Sequence, residues 1–497
     1  MLPFLLILPV VLFLPLVWVL VRQRRALDHQ RTNQSLNGGD DASSLARKTK
    51  VYGFFHPYCS GGGGGERVLW KMIQVLQQQQ QGIGDDETTK VHIVIFTVDP
   101  PETDEARLRA DAQKRFDVTI SHPVQLVSLE AHKHYLNPSP YLSLVLESWG
   151  TMKLAYHALR LYYMQASATL DVFCDTTGCA FTFLVVKWLL PACQILAYVH
   201  YPTISTDMMS WEWNQSSKSV WKRQIKLIYF AMFAMAYGLV GSLADLVMVN
   251  STWTYNHIRR LWRWCSAIDI VYPPCRIAPS RERIQASPRK PVIVSIGQFR
   301  PEKDHRLQIE SFAFFLRKYG NISDDKKVNY NIDDVRLWLI GSCRNEQDQA
   351  RVEELRQFVS RQLSDVVDCE DSSEEDSKVV FKINLPYVEL ESCMQTATIG
   401  IHTMRQEHFG IGIVEMMSAG LITIAHNSGG PRTDIIEPNV TGYLATTPEE
   451  YADFIHQALT MNPKNANEMR EMAQLSSERF SDIAFEKSLQ KSLAKLK

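Results

Sequence analysis

The sequence predicts an α/β protein of two doubly wound, parallel-sheet domains, and three observations predict it. Short apolar runs alternate with longer helical patterns along most of the 497 residues, the signature of parallel βαβ units. The alternation breaks at VYPPCRIAPSRERIQASPRKP (271–291), where five prolines preclude a regular element, and then restarts. A chain of this length that is 45% hydrophobic can bury two ordinary cores.

From the N-terminus, MLPFLLILPVVLFLPLVWVLV (1–21) carries no charged side chain. As a helix it would span about 30 Å, enough for a bilayer core. Arg22, Arg24 and Arg25 follow at once, so the positive-inside rule puts the bulk of the chain on the cytoplasmic side. A cleaved signal peptide is the rival, but it lacks a basic n-region and a small-x-small site before Arg22. An uncleaved transmembrane anchor is therefore expected, followed by a polar linker over 22–48. The first domain is expected over 49–272, with strands at 51–55, 91–96, 124–129, 170–174, 195–200 and 246–250. The hinge follows at 273–290. The second domain is expected over 291–455, with strands at 292–296, 337–340, 379–384, 398–402, 421–425 and 443–445. Helices over 456–497 would pack back toward the first domain. In open α/β sheets ligands sit beyond the carboxyl ends of the strands, so the cleft between two such domains is the natural site.

Segments 76–90, 320–334 and 368–376 read as solvated surface loops. The stretch LIYFAMFAMAYGLVGSLA (227–244) is 18 residues without a charge, flanked by Lys222, Arg223 and Lys226. A second span would strand the two domains on opposite sides of a membrane. A core helix and a helix lying in the membrane interface both fit. Lys+Arg 53 against Asp+Glu 54 argues against nucleic acid as a partner. Nine cysteines without paired spacing favour reduced thiols over disulfides or zinc. On the cytosolic side the sequons at Asn214, Asn250 and Asn439 are chance matches.

Chemistry concentrates in three places. In FFHPYCSGGGGGERVLW (54–70), five glycines (Gly61, Gly62, Gly63, Gly64 and Gly65) join a strand to a helix. The run fits neither G-x-G-x-x-G nor G-x-x-x-x-G-K-[ST], so no nucleotide motif is present. What remains is bare backbone at a helix N-terminus, suited to an anion or polar ligand. In SIGQFRPEKDH (295–305), Gly297 ends a strand, and Arg300 and Lys303 can clamp a diphosphate without metal. In RQEHFGIGIVEMMSAGLITIAHNSGGPRTDII (405–436), Glu407 and Glu415 stand eight apart around the start of a helix. Two carboxylates so placed suit hydrogen bonds to sugar diols, and Gly429 and Gly430 would expose backbone N–H groups.

The E-x7-E spacing, G-x-x-R-x-E-K and S-G-G-P resemble family 4 of the retaining, nucleotide-sugar-dependent glycosyltransferases, whose fold is the two-Rossmann GT-B architecture. With the apolar N-terminus, FFHPYCSGGGGGERVLW, YVHYPTIS and EHFGIGIVEMMSAGLITIAHNSGGP, the whole chain resembles the branch of alpha-1,2-mannosyltransferases acting on dolichol-linked oligosaccharide. The resemblance implies GDP-mannose as donor and a dolichol-pyrophosphate-linked oligosaccharide as acceptor. It implies addition of the fourth and fifth mannoses on the cytosolic face of the endoplasmic reticulum membrane, alongside other mannosyltransferases of the pathway.

By the same resemblance Glu415 would hold the donor ribose, Glu407 the transferred sugar, and Arg300 and Lys303 the diphosphate. Backbone at Phe409, Gly410, Ile411, Gly429 and Gly430 would bind sugar and phosphate. His200 would face the donor hexose, and the glycine loop would line the acceptor side. The chain holds no Asp-x-Asp, so no metal cofactor is expected. Retention could proceed through a glycosyl-enzyme intermediate or by same-face attack, and the absence of a convincing nucleophile favours the second. A lipid-directed transferase with another donor, or an inactive membrane scaffold of the same fold, are the alternatives.

Overall fold

A computed structural model describes residues 49–79, 90–100, 102–166, 169–205, 220–265, 267–277, 289–320, 330–365 and 377–496. The expected anchor (1–21), the linker (22–48), most of the hinge, residues 80–89 and 321–329 of the first two surface loops and all of the third (368–376) lie outside the described residues, while 76–78, expected as loop, end a helix. The chain divides into two compact units. The first comprises Met1–Asn250, Thr254–Tyr272 and Glu486–Lys497; the second comprises Ser251–Trp253 and Pro273–Phe485. The expected C-terminal helical segment is thus divided, its last residues belonging to the first unit, where Lys71 and Glu486 pair at 2.7 Å.

In the first unit, strands β1 (Lys50–Phe55), β2 (Val91–Thr97), β3 (Gln125–Ser128), β4 (Val172–Asp175), β5 (Gln194–Val199), β6 (Leu246–Val249) and β7 (Ile268–Ile270) form one sheet. Its order is β3-β2-β1-β4-β5-β6-β7 and every pairing is parallel. Six strands match the apolar runs of the sequence. The seventh, three half-buried residues ahead of the proline-rich break, has too short a run to signal itself. Helices α1 (Gly64–Gln78), α2 (Glu105–Phe116), α3 (Ser143–Ala166), α4 (Thr182–Leu189), α5 (Val220–Gly241) and α6 (Thr252–Leu261) accompany these strands.

Parallel strands covered by helices must be apolar on both faces, and Phe54, Phe55, Ile195 and Leu196 are fully buried. Phe183, Phe233, Tyr237 and Trp262 fill one side of the core. Glycine is required in α5 for that packing. A Cβ on Gly238 would stand 2.3 Å from the Leu261 carbonyl oxygen, and one on Gly241 would stand 2.1 Å from the Trp262 ring. The long apolar stretch of the sequence is therefore a helix whose C-terminal half belongs to the core of this unit.

In the second unit, β8 (Lys290–Ile296), β9 (Arg336–Gly341), β10 (Val379–Ile383), β11 (Ala397–His402), β12 (Ile422–His426) and β13 (Gly442–Ala445) form a parallel sheet ordered β10-β9-β8-β11-β12-β13. Helices α7 (His305–Tyr319), α8 (Glu346–Leu363), α9 (Tyr387–Thr396), α10 (Ile411–Ser418), α11 (Pro448–Thr460), α12 (Pro463–Ser477) and α13 (Asp482–Leu493) complete the chain. Their starts are written in the sequence: Asn345 accepts from the Asp348 N–H, Thr447 from Glu450 and Asn462 from Asn465. Strand order reverses direction between β1 and β4 in the first sheet and between β8 and β11 in the second. Ligands of doubly wound sheets bind at the carboxyl edge beside such a reversal.

Candidate active site

At the carboxyl edge of the second sheet, β8 runs out at Gly297 and a short 3₁₀ turn, Pro301–Lys303, follows. Asp304, at φ +48°, closes that turn and its side chain accepts from the Leu307 N–H to start α7. The turn is tied to the end of β11. The Thr403 hydroxyl bonds the carbonyls of Lys303 (2.9 Å) and Asp304 (3.0 Å) and accepts from Gln308 Nε2 at 2.9 Å.

This fixes Lys303, whose ammonium donates to Glu407 Oε2 at 2.5 Å. His402, the last residue of β11, lies with Nε2 3.2 Å from the same oxygen. The Glu407 side chain is 12% exposed and that of Lys303 24%. Burial by itself would raise the Glu407 carboxyl, but Lys303 and the His402 hydrogen bond overcome it and hold the group below the usual carboxylate range. Burial, reinforced by Lys303, lowers the His402 imidazole despite the carboxylate beside it. A neutral ring facing a carboxylate donates from Nε2. The result is an ionised, largely dry carboxylate aimed by one cation and one neutral donor.

The loop carrying Glu407 is braced from the following strand. Gln406, at φ +54°, donates its N–H to Ser428 Oγ at 2.8 Å, and that hydroxyl also bonds His426 Nδ1 at 2.8 Å. The Gly430 N–H donates to the Glu407 carbonyl at 2.7 Å. A Cβ on Gly429, which has φ +59°, would stand 2.3 Å from that carbonyl oxygen, and one on Gly430 would stand 2.7 Å from the Phe409 Cα. The expectation that both glycines offer open N–H groups to phosphate is corrected here for Gly430. Its N–H is taken by Glu407, and glycine is needed because two backbone segments touch.

Gly410, at φ +113°, starts α10 and leaves the first-turn N–H groups of Ile411 and Gly412 without helical partners. Phe409 is buried edge-to-face on Phe480 at 5.2 Å and works as a packing residue beneath the loop. Glu415 stands half-buried in the second turn of α10. The structure does not bring Arg300 and Lys303 together as the expected clamp. Arg300 has extended backbone ahead of the turn and a side chain 43% exposed, 3.9 Å from Glu302, while Lys303 turns inward to Glu407. A Cβ on Gly297 would make ordinary contact with Lys303, whereas one on Gly341 would stand 2.0 Å from the Gly297 carbonyl oxygen. The close approach is thus demanded of Gly341.

In the first unit the five glycines adopt none of the left-handed angles that would explain them. Glu66, at the start of α1, curls back and accepts the Gly63 N–H at 3.0 Å. A Cβ on Gly61 would stand 2.0 Å from one Glu66 oxygen, and one on Gly63 would stand 2.8 Å from the other. Upstream, Asp99 gathers the Ser60 N–H (3.0 Å), the Ser60 hydroxyl (2.7 Å) and the Thr97 hydroxyl (2.9 Å). His200, just after β5, comes to this helix start: its Nε2 would be 3.6 Å from a Cβ on Gly65.

Sequence reasoning missed Asp175, the last residue of β4, which is fully buried beside the sheet's reversal point. It accepts from the Thr177 N–H (2.9 Å) and hydroxyl (2.7 Å), and burial raises its carboxyl to about 6. Next to it Thr176 bonds His56 Nδ1 at 2.7 Å, and burial lowers that imidazole to about 4. An acid ending a strand at a reversal point was the signal available for Asp175. His402 gave none, because its partner is met through space.

Comparison with known proteins follows this division. The family model described as ALG11 mannosyltransferase N-terminus matches residues 49–262, and the one described as Glycosyl transferases group 1 matches 277–476. The GDP-Man:Man(3)GlcNAc(2)-PP-Dol alpha-1,2-mannosyltransferase of Homo sapiens is 41% identical over 91% of this chain and 88% of its own. That of Dictyostelium discoideum is 38% identical over 87% and 82%, and that of Caenorhabditis elegans 33% over 91% and 93%. Among solved structures, a sucrose-phosphate synthase from Thermosynechococcus elongatus matches with TM-score 0.59 at 17% identity, over 90% of this chain and 99% of that one. Anabaena HepE in complex with UDP and glucose matches with TM-score 0.54 at 15% identity, over 90% and 100%. These structural likenesses carry the fold, two parallel-sheet α/β units of the GT-B class. The chain belongs to the alpha-1,2-mannosyltransferase family of these curated relatives and is a glycosyltransferase.

Proposed function

We propose that this protein transfers mannose from GDP-mannose, in alpha-1,2 linkage and with retention, to a dolichol-pyrophosphate-linked oligosaccharide that already carries three mannoses. The fourth and fifth mannoses are added on the cytosolic face of the endoplasmic reticulum. The donor, linkage and acceptor are those in the names of relatives up to 41% identical. The observation that carries the reading is the buried Lys303–Glu407–His402 cluster at the reversal point of the second sheet.

Each part has a role in that transfer. Both contacts of Glu407 fall on Oε2, so Oε1 faces the transferred hexose and accepts a hydroxyl hydrogen. Lys303, paired with Glu407, gains a second anion when the donor diphosphate arrives. Arg300 is exposed enough to swing onto the same phosphates, with the N–H groups of Ile411 and Gly412 beside them. Glu415 bonds the ribose. Fixed donors of this kind stabilise the leaving diphosphate as negative charge develops on it, which supports transfer without a metal cofactor. The acceptor hydroxyl oxygen forms the new bond to the anomeric carbon as the carbon–phosphate-oxygen bond breaks on the same face. The departing phosphate oxygen takes the hydroxyl proton. The family resemblance assigns His200 to the hexose as well; within its own unit it lies at the start of α1.

The test is incubation of the membrane-reconstituted protein with GDP-mannose, or with UDP-glucose, and a trimannosyl pyrophosphoryl lipid, followed by linkage analysis. Two alpha-1,2-linked mannoses from GDP-mannose, abolished by Glu407→Ala, are expected. Transfer from UDP-glucose instead, or full transfer by the variant, refutes the assignment.

A further inference from the structure

We infer that Trp253, at the start of α6, is a positioning residue of the transfer site and fixes the loop that carries Glu407. The inference rests on the role proposed for Glu407 at the transferred hexose. After β6 the chain enters the second unit for three residues, Ser251–Trp253, before α6 continues in the first. There the buried Asp434 side chain accepts the Thr252 N–H, with its two oxygens at 3.0 and 3.2 Å. A carboxylate on a first-turn amide suits both the unpaired N–H and the positive end of this ten-residue helix. The next side chain, Trp253, is buried, and its ring lies 5.1 Å from that of His408.

These contacts close a circuit within the second unit. Trp253 meets His408, and the following residue, Phe409, packs edge-to-face on Phe480 at 5.2 Å. Arg479, next to Phe480, stands 4.7 Å over that ring and donates to the Asp434 carbonyl. Asp434 returns to Thr252, the neighbour of Trp253. Thr433 ties the same turn to the Gly429 carbonyl at 3.1 Å. Removing the indole opens the circuit at the residue that directly follows Glu407.

The loop needs such a hold. Gln406 at φ +54° and Gly410 at φ +113° bracket it, and left-handed angles at both ends persist only where the surroundings impose them. Gly430 meets the main chain: its N–H bonds the Glu407 carbonyl, and a Cβ there would stand 2.7 Å from the His408 carbonyl oxygen. Trp253 adds a contact to the half-buried His408 side chain. Backbone and side chain together then set where the Glu407 carboxylate points.

The experiment uses the full chain, reconstituted in membranes, with GDP-mannose and the trimannosyl pyrophosphoryl lipid. Trp253→Ala should lower kcat about tenfold or more, the effect of a displaced acid. GDP lacks the hexose, so its affinity in calorimetry should stay within about twofold of the parent. Trp253→Phe keeps a ring against His408 and should recover kcat to within about threefold. His408→Ala breaks the same contact from the loop side. Combined with Trp253→Ala, it should lose no more than about twofold beyond the worse single variant. Hydrogen exchange of the 406–412 amides should rise in Trp253→Ala and return in Trp253→Phe.

Unchanged kcat in Trp253→Ala overturns the inference. So does a loss confined to GDP affinity, a Trp253→Phe enzyme as slow as Trp253→Ala, or losses that multiply in the double variant. Should Trp253→Ala fail to fold, His408→Ala is read by the same kcat, affinity and exchange, and parent values there overturn the inference. Absence of mannose transfer by the unsubstituted protein fails the proposed reaction, and exchange over 406–412 then decides the positioning by itself.

Discussion

Lys303→Met tests the candidate site through stability as well as activity. The ammonium lies 2.5 Å from a carboxylate whose side chain is 12% exposed, and its removal leaves Glu407 with His402 as remaining partner. Removing one member of a buried pair costs about 3–5 kcal/mol. The 24% exposure of Lys303 and the surviving histidine bond reduce this to an expected ~2–3 kcal/mol. Glu407→Gln with Lys303→Met leaves no uncompensated charge and should return to within ~1 kcal/mol of the parent.

The pH dependence has a sign. In the parent, Glu407 is held below its ordinary 4.5, so its stabilisation is fully present above that value and is lost as pH falls through the lower folded value. Without Lys303, burial prevails and the folded carboxyl rises. The deficit is then full at pH 7–8 and shrinks on acidification as Glu407 takes a proton. Hydrogen exchange along β11 and α10 reads these differences locally, which a two-unit chain requires. Lys303→Met, Glu407→Gln and the double variant should all have lost transfer activity. A Lys303→Met deficit under ~0.5 kcal/mol, or a double variant as unstable as the sum of the singles, refutes the pair as drawn.

Other expectations follow from the same geometry. Gly429→Ala demands a left-handed angle from a residue with a side chain and drives its Cβ into the Glu407 carbonyl. It should cost at least ~1–2 kcal/mol and cut transfer more than tenfold by moving Glu407, and native turnover would contradict the brace. Asp175, raised to about 6 by burial, penalises the fold above that pH and is relieved below it. Asp175→Asn should therefore raise thermal stability at pH 8 and change little at pH 4, and a loss at pH 8 would show that the charge is favourable. Buried His56 and His305, lowered to about 4 and about 3, bind protons less readily folded than unfolded. Stability should fall as pH drops from 6.5 toward 4, and His56→Gln should flatten that slope; an unchanged slope would exclude His56 as a source.

Much of the fold was legible because parallel strands buried on both faces write themselves as uninterrupted apolar runs. Strand β7, at Ile268–Ile270, did not, being short and half-buried beside the prolines. Glu407 and Lys303 were visible through their spacing from the surrounding glycines. Their direct pairing was not, because it depends on a 3₁₀ turn that sends Lys303 inward while Arg300 stays extended outside it. His402 was hidden for a related reason: the last residue of a strand looks like any other until the loop five residues on folds over it. Gly429 and Gly430 were noticed, but the Gly430 N–H was read as open when the Glu407 carbonyl takes it. Glycine is demanded there by one backbone lying against another, a distance that no pattern of letters contains.

The Glu66 carboxylate folded onto the glycine loop gives the positive end of α1 a resident counter-ion. An anion that came for the Gly63 N–H would have to displace Glu66 from it. Two of the five glycines, Gly61 and Gly63, thus make room first for the protein's own carboxylate.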